Sequence, residues 1–418
     1  MQQPFSSKRF LRLLAFAFAV ICGATALVNY AVDPYGMFAT PRVAGFNARK
    51  PAAGERVRVA KPYLVSAAVA HTVIAGNSRV EMGIDPQSAC WRDNDRPVFN
   101  MGIPGVSFES QTEYARHALL ETGARQVLFG VDLLDFLVDT TRATPAADAE
   151  ISDAELRLNL AAARASALRV FALRTEDRLK GLFSLEALGD SLYTLSQQGD
   201  ANASDRRADG FNPARDYVPI IRSEGQDVLF KQKNRSVAAM FALAELGLVP
   251  ADATTSSPLQ ALEDFLAWAA AHDVTPLLFI NAYHADYLGL IALSDKWPLF
   301  EQWKRDVLAM AQRHGVALWD FSRVDDYSSE VLPAEAGRGK TLKWFWEPAH
   351  YRRELGERML AVMRGSDCVA DAVPLPGVLL DPGHIDAYLA QEHEAITAYL
   401  AGHPERARAL SNLLQQAR

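Results

Sequence analysis

Val73-Ile74-Ala75-Gly76-Asn77-Ser78-Arg79 is the stretch from which the fold of this chain can be read. A short apolar run that stops at a glycine and small polar residues is the pattern of a buried parallel strand whose C-terminal end opens into a loop. In open α/β sheets ligands bind beyond that end, which makes Ser78 a candidate nucleophile. A plainer role suits the same residues, because Asn and Ser are favoured in turns and at helix N-caps. A single strand-Gly-x-Ser is compatible with both.

Four further runs repeat the strand pattern: residues 97–101, which end at Gly102, then 126–131, 274–281 and 316–321. Helical spacing separates them. Tyr114, Ala118 and Leu119 share a face within 108–121. Ser257-Pro258 is a cap and first turn ahead of Leu259, Leu262, Leu266 and Ala269, and Leu299, Trp303, Val307 and Met310 repeat at helical intervals. Strands alternating with helices predict an α/β fold built on a doubly wound, five-stranded parallel sheet.

The alternation breaks between the third and fourth runs. Ser152-Asp153-Ala154-Glu155 is a capping box that predicts a long helix through Leu156, Leu160, Ala167 and Phe171, followed by a helix near Leu185 to Leu195. The polar stretch from Ser196 to Arg215 reads as an exposed loop. Residues 141–256 form a helical insertion on the sheet edge that carries Ser78, open to service as a lid, an acceptor-binding cap, or a contact with membrane or partner.

The chain has 418 residues, 49% of them hydrophobic, enough for a large core, and a net charge of −7 that offers no basic field for nucleic acid. Lys8, Arg9 and Arg12 precede an uncharged apolar run that, counted from Phe10 to Val32, gives about 20 residues, enough to cross a bilayer if Arg12 snorkels. Positive charge first predicts a cytoplasmic N-terminus and an exported main domain, single-pass in the inner (cytoplasmic) membrane, facing the periplasm or exterior. Ala24-Thr25-Ala26 offers an alternative as a signal-peptide cleavage site, whereas Ile21 before Cys22 argues against a lipoprotein. Of three cysteines, Cys22 lies in the apolar run, leaving Cys90 and Cys368 in an oxidising compartment. Both follow helices that return to the edge away from Ser78, which predicts a structural disulfide; two buried thiols are the alternative. No spacing suggests a metal site, and no cofactor is expected.

Late in the chain stands Trp344-Phe345-Trp346-Glu347-Pro348-Ala349-His350-Tyr351, after a loop with Gly337 and Gly339 and before a helix with Leu355, Met359, Leu360 and Met363 on one face. An acid three residues before a His lets one loop supply a general base and the carboxylate that orients it, the partners a serine nucleophile needs. His350 also suits a plain helix start, and the aromatic residues suit packing against the sheet or stacking on a sugar.

Gly76-Asn77-Ser78, then Asn100-Met101-Gly102 after the second strand, and Glu347-Pro348-Ala349-His350 after the fifth resemble blocks I, II and V of the SGNH (GDSL-like) hydrolase superfamily. In layout the chain is similar to membrane-anchored bacterial SGNH-like proteins of polysaccharide acetylation. The resemblance implies a flavodoxin-like three-layer α/β/α sandwich, with Ser78 as nucleophile, His350 as base, Glu347 as its acid, and the N–H groups of Ser78 and Gly102 in an oxyanion hole. Three residues depart from the pattern. Asn77 replaces an acid and Arg79 follows the nucleophile; Glu347 stands where Asp is usual; and Gly130-Val131-Asp132 puts a carboxylate where block III supplies an Asn donor. An ionised carboxylate cannot donate to an oxyanion, and losing one such donor costs about 3 kcal/mol. Asp132 pairing with Arg79 is one resolution. Asn281 and His284, after the fourth strand, are either substitute polar groups or turn residues.

The expected organisation is a cytoplasmic tail (1–9), a transmembrane signal anchor (10–32), a linker or wrapped arm (33–69), an SGNH-like core (70–140 and 257–366), the insertion (141–256) and a C-terminal helical tail (367–418). The expected function is a serine ester hydrolase or O-acyltransferase acting through an acyl-Ser78 intermediate on an acylated envelope glycan or small acyl ester. The alternative is a degenerate domain that binds glycan or an envelope assembly protein.

Overall fold

The computed structural model describes residues 7–141, 156–158, 167–242, 245–331, 340–369 and 374–417. The capping box at 152–155, Leu160 and the Gly337/Gly339 loop lie outside the described residues. In chain order the strands are β1 (Thr72–Ala75), β2 (Val98–Asn100), β3 (Gln126–Val131), β4 (Val138–Asp139), β5 (Leu246–Gly247), β6 (Thr275–Ile280), β7 (Leu318–Asp320), β8 (Phe345–Glu347), β9 (His350–Tyr351) and β10 (Val378–Leu379).

Six strands make the central sheet, in the order β10-β7-β6-β3-β1-β2. All are parallel except β10, which runs antiparallel to β7. The five apolar runs of the sequence are the five parallel strands, but the sheet is not five-stranded. Its sixth strand is two residues long, too short to show a period, and it belongs to the segment 367–418 that sequence alone makes a helical tail. Helices Ile385–Gly402 and Pro404–Ala417 complete that segment.

Side chains alternate across each strand, and both faces are buried. Val73, Phe99, Val127, Phe129 and Leu278 join one core with helices Phe108–Thr122, Ser257–Ala271 and Trp297–Arg313, while Ile74, Val98, Leu128 and Phe279 join a second with helix Arg353–Arg364. Cys90 and Cys368 border the second core and are joined, with Cα atoms 5.1 Å apart. The chain winds outward from β1 in opposite directions to β2 and β3, which puts the topological switch point of the sheet at the C-terminal ends of β1 and β3.

Residues before β1 are not a free linker. Helices Pro51–Glu55 and Val57–Ser66 pack on the body, with Lys50 and Lys61 fully buried. The ribbon β4–β5 closes the base of an insertion whose described helices are Ala167–Phe183, Leu185–Ser196, Tyr217–Glu224 and Gln226–Phe241. The polar stretch within it is no exposed loop: Ala203, Asp205, Arg206, Phe211, Asn212 and Ala214 are buried, because their polar groups find partners on distant elements.

The helix Ser7–Val32, of 26 residues, is long and apolar enough to span a membrane. Phe10, Leu11, Leu14, Phe18 and Ile21 are exposed along it. Its last turns are held: Asn29 Nδ2 donates to Leu182 O at 2.9 Å, and Ser191 Oγ donates to Asn29 Oδ1 at 2.9 Å.

Candidate active site

The turn that presents Ser78 depends on Gly76. Its φ is 137°, and a Cβ there would stand 2.7 Å from both Gly130 O and Val80 Cγ2. Asn77 caps the short helix Ser78–Gly83 by accepting Arg79 N–H at 3.0 Å, which places Ser78 at the first helical position. The cap of this helix therefore belongs to Asn77, and Ser78 is free of that role. Ser78 Oγ lies 2.7 Å from His350 Nε2.

His350 is not at a helix start. It sits on β9, directly across a two-stranded ribbon from Glu347 on β8, and the following helix begins only at Arg353. His350 Nδ1 hydrogen-bonds Glu347 Oε1, and Glu347 Oε2 accepts Ala349 N–H at 2.8 Å. Burial pulls the imidazole below its ordinary value, outweighing the Glu347 carboxylate that pulls it up. Burial also pushes Glu347 up, but the charge and hydrogen bond of His350, with Lys233, hold it below the usual carboxylate range. A neutral His beside an ionised Glu is the state in which Nε2 can accept the serine proton. Ser78 is half-buried, so its hydroxyl remains reachable.

On the other side of Ser78 the polar groups already hold one another. Asp132, at the end of β3, accepts from Tyr283 OH at 2.6 Å, from Asn281 Nδ2 at 3.1 Å and from Asn77 Nδ2, and it pairs with Arg79 Nη1 at 3.0 Å. All four of these partners are donors, so an acceptor-only carboxylate fits where an Asn would turn an NH₂ toward other donors. The Arg79 guanidinium also lies 5.1 Å and 5.5 Å from the ring centroids of Tyr283 and Tyr287. Asn281 is occupied at both ends, since its Oδ1 accepts Tyr351 OH at 2.9 Å. His284 is a turn residue: Nδ1 accepts Asp286 N–H at 3.1 Å as a helix cap, and Nε2 bonds Glu330 O at 2.8 Å.

Gly102 does not supply the donor implied for it. Its N–H is spent on Asn100 Oδ1 at 2.9 Å, while Asn100 Nδ2 donates to Val80 O and Ile84 O, both at 2.9 Å. Asn100 thus staples the Ser78 helix from below. Among the described residues no acceptor lies on the Ser78 N–H, which leaves it as the donor at the site.

Several supporting residues carry no motif. Glu81, one turn after Ser78 and buried, pairs with Lys61 Nζ at 2.9 Å and Arg206 Nε at 3.0 Å. Asn212 N–H donates to Glu81 O at 3.0 Å. Burial pulls Lys61 down to about 8. Gln226 Nε2 donates to Phe345 O at 2.7 Å and Trp346 O at 2.9 Å, fixing the His ribbon to the insertion, and Lys233 Nζ stands 3.7 Å from Glu347 Oε1. Glu81 is legible only as a helical neighbour of Ser78 on its own face; the others come from far along the chain.

No family model, curated protein or solved structure matches this chain.

Proposed function

We propose that the chain is a membrane-anchored serine ester hydrolase or O-acyltransferase with an SGNH-like, flavodoxin-like α/β/α core, acting on acylated envelope glycan or a small acyl ester. The observation that carries this is the relay from Ser78 Oγ through His350 to Glu347 at the end of β1. As the Oγ attacks the ester carbonyl carbon, its proton passes to His350 Nε2. The tetrahedral oxyanion meets the Ser78 N–H, Glu347 stabilises the imidazolium, and His350 returns the proton to the departing alkoxide. Water or a glycan hydroxyl then attacks acyl-Ser78 by the same route in reverse. With Gly102 and Asp132 bonded elsewhere, the oxyanion has fewer donors than such sites usually hold, which predicts slow turnover rather than none.

The N-terminal helix supports anchorage, and Lys8, Arg9 and Arg12 before it support an N-in orientation with the main domain outside the cytoplasm. Burial of Thr25, the central residue of the Ala-Thr-Ala triplet, against the body supports retention of the helix over cleavage. The occupied oxyanion side favours a second reading, a non-catalytic domain that binds glycan or an assembly partner. Incubation with p-nitrophenyl acetate, with p-nitrophenolate release and peptide mass spectrometry as readouts, separates the two. The catalytic reading expects release of p-nitrophenolate with an acetyl group on the Ser78 peptide or turnover, both absent from Ser78→Ala, and folded protein that shows neither release nor acetylation contradicts it.

A further inference from the structure

We infer that helix Ala167–Phe183 of the insertion lies flat in the lipid interface, where the N-terminal helix leaves the bilayer. The inference rests on the proposed membrane anchorage and adds a second, lateral contact with lipid. The helix has two opposed apolar faces. One, Val170, Leu173 and Gly181, packs inward; Val170 is buried with Leu156, and a Cβ on Gly181 would touch the Phe38 ring at 3.3 Å. The other face is bare. Leu168, Phe171, Leu179 and Phe183 recur at helical spacing and fall within about a third of the circumference at 100° per residue, yet Leu168 is 76% exposed and Phe171 67% exposed. Leu185, which opens the next helix, is 77% exposed. Side chains this large in one stripe are unlike the scattered apolar residues of an ordinary surface.

The occupant follows from where the stripe sits. Helix Ser7–Val32 contacts both Ala167–Phe183 and Leu185–Ser196. Its covered residues are Cys22, Thr25, Ala26, Val28, Asn29, Ala31 and Val32, all in its last three turns, whereas Phe10 to Ile21 is bare. A span of that length puts Cys22 to Val32 within about 15 Å of its C-terminal end, the depth of the outer hydrocarbon edge and headgroups. An element clamped to those turns cannot avoid the lipid surface. Arg169 and Lys180, the latter paired with Glu176 at 2.6 Å, flank the stripe on one side and Arg178 on the other, so cations outnumber the single carboxylate along its borders, as in helices that bury an apolar face among acyl chains and keep cations among headgroups. The insertion thereby fixes the height of the Ser78 site above the membrane, since Gln226 and Arg206 of the same insertion bind the His ribbon and the Ser78 helix.

The test uses the full chain with Cys22→Ser in vesicles of phosphatidylethanolamine and phosphatidylglycerol. An environment-sensitive fluorophore is attached singly at Leu168→Cys, Phe171→Cys or Leu179→Cys, all exposed positions. Phe16→Cys reports the span, and Leu379→Cys, exposed on β10, reports water. Nitroxide lipids labelled near the headgroup or near the bilayer centre serve as quenchers. The inference expects the headgroup-proximal nitroxide to quench the three insertion labels at least about twofold more than the label at 379, with the bilayer-centre nitroxide acting best at 16. Insertion labels that match the label at 379 while the label at 16 is quenched overturn the interfacial helix and leave the anchor standing. A label at 16 that is not quenched overturns both.

Discussion

His350 and Asp132 reach the Ser78 turn from different strand ends, and their surroundings differ in kind. His350 has an acceptor on one nitrogen and a hydroxyl on the other, is held neutral by burial, and sits beside a half-exposed serine. Asp132 is buried among four donors and satisfied by them. The first arrangement can change its protonation state during a reaction; the second holds one state still. Two groups brought to one serine can therefore be specified separately, one by a relay and one by an ion pair. Here the Ser78–His350–Glu347 contacts are complete, while Asp132 is held in a structural ion pair with Arg79 that ties the ends of β1 and β3.

That contrast can be attacked from either half. The largest effect is expected from Glu347→Gln, which keeps the shape but lets the amide favour the wrong imidazole tautomer; acylation of Ser78 should fall by about 10²- to 10⁴-fold with unfolding unchanged. A variant acylated at the normal rate would show that Glu347 does not orient His350. On the opposite side, Arg79→Leu strands the Asp132 carboxylate in the interior and should destabilise by about 3–5 kcal/mol, read from chemical unfolding. Asp132→Asn should also destabilise and should not raise the rate. A faster Asp132→Asn variant would mean that this position faces the reacting oxygen.

A smaller effect depends on pH. Burial, and then the nearby Asp132, push the Asp135 carboxyl up to about 7. The folded chain therefore keeps a proton that the unfolded chain releases near pH 4, so stability falls as pH rises from about 4 to 7. Asp135→Asn removes that penalty while its oxygen can still accept Asn77 and Gln111, both of which donate to Oδ2 at 2.9 Å. The variant should exceed the wild type by about 2–4 kcal/mol at pH 8 and match it at pH 4. An equal difference at both pH values would assign the effect to packing.

The five parallel strands, Ser78, His350 and Glu347 were legible because each has a local signature: an apolar run, a glycine stop, an acid three residues before a His. What escaped depends on distant partners. Asp205, Arg206 and Asn212 look solvent-facing in sequence, yet Lys50 N–H and Glu81 satisfy them and permit burial. Nothing local reveals that the Gly102 N–H is already bonded, since Asn100 is two residues away and serves equally well in an open turn. Asp132 stood out as a misfit, and its pairing with Arg79 was a readable alternative. The donors from Asn281 and Tyr283 were not readable, because they arrive about 150 residues later on a neighbouring strand end. The strand β10 escaped because two residues carry no period.

Fluorophosphonate labelling of the full chain, followed across pH in wild type, Ser78→Ala and His350→Ala, reads the activation of Ser78 by His350. A phosphonyl group on Ser78 requires the same proton transfer to His350, without the need for turnover. Since burial holds the imidazole below its ordinary value, the labelling rate should already be at its plateau at pH 7 and decline only below about pH 6.5 as His350 gains a proton. Both variants should remain unlabelled while folded. A folded wild-type chain that stays unlabelled at every pH, or a His350→Ala chain labelled as well as wild type, would rule out a Ser78 activated by His350.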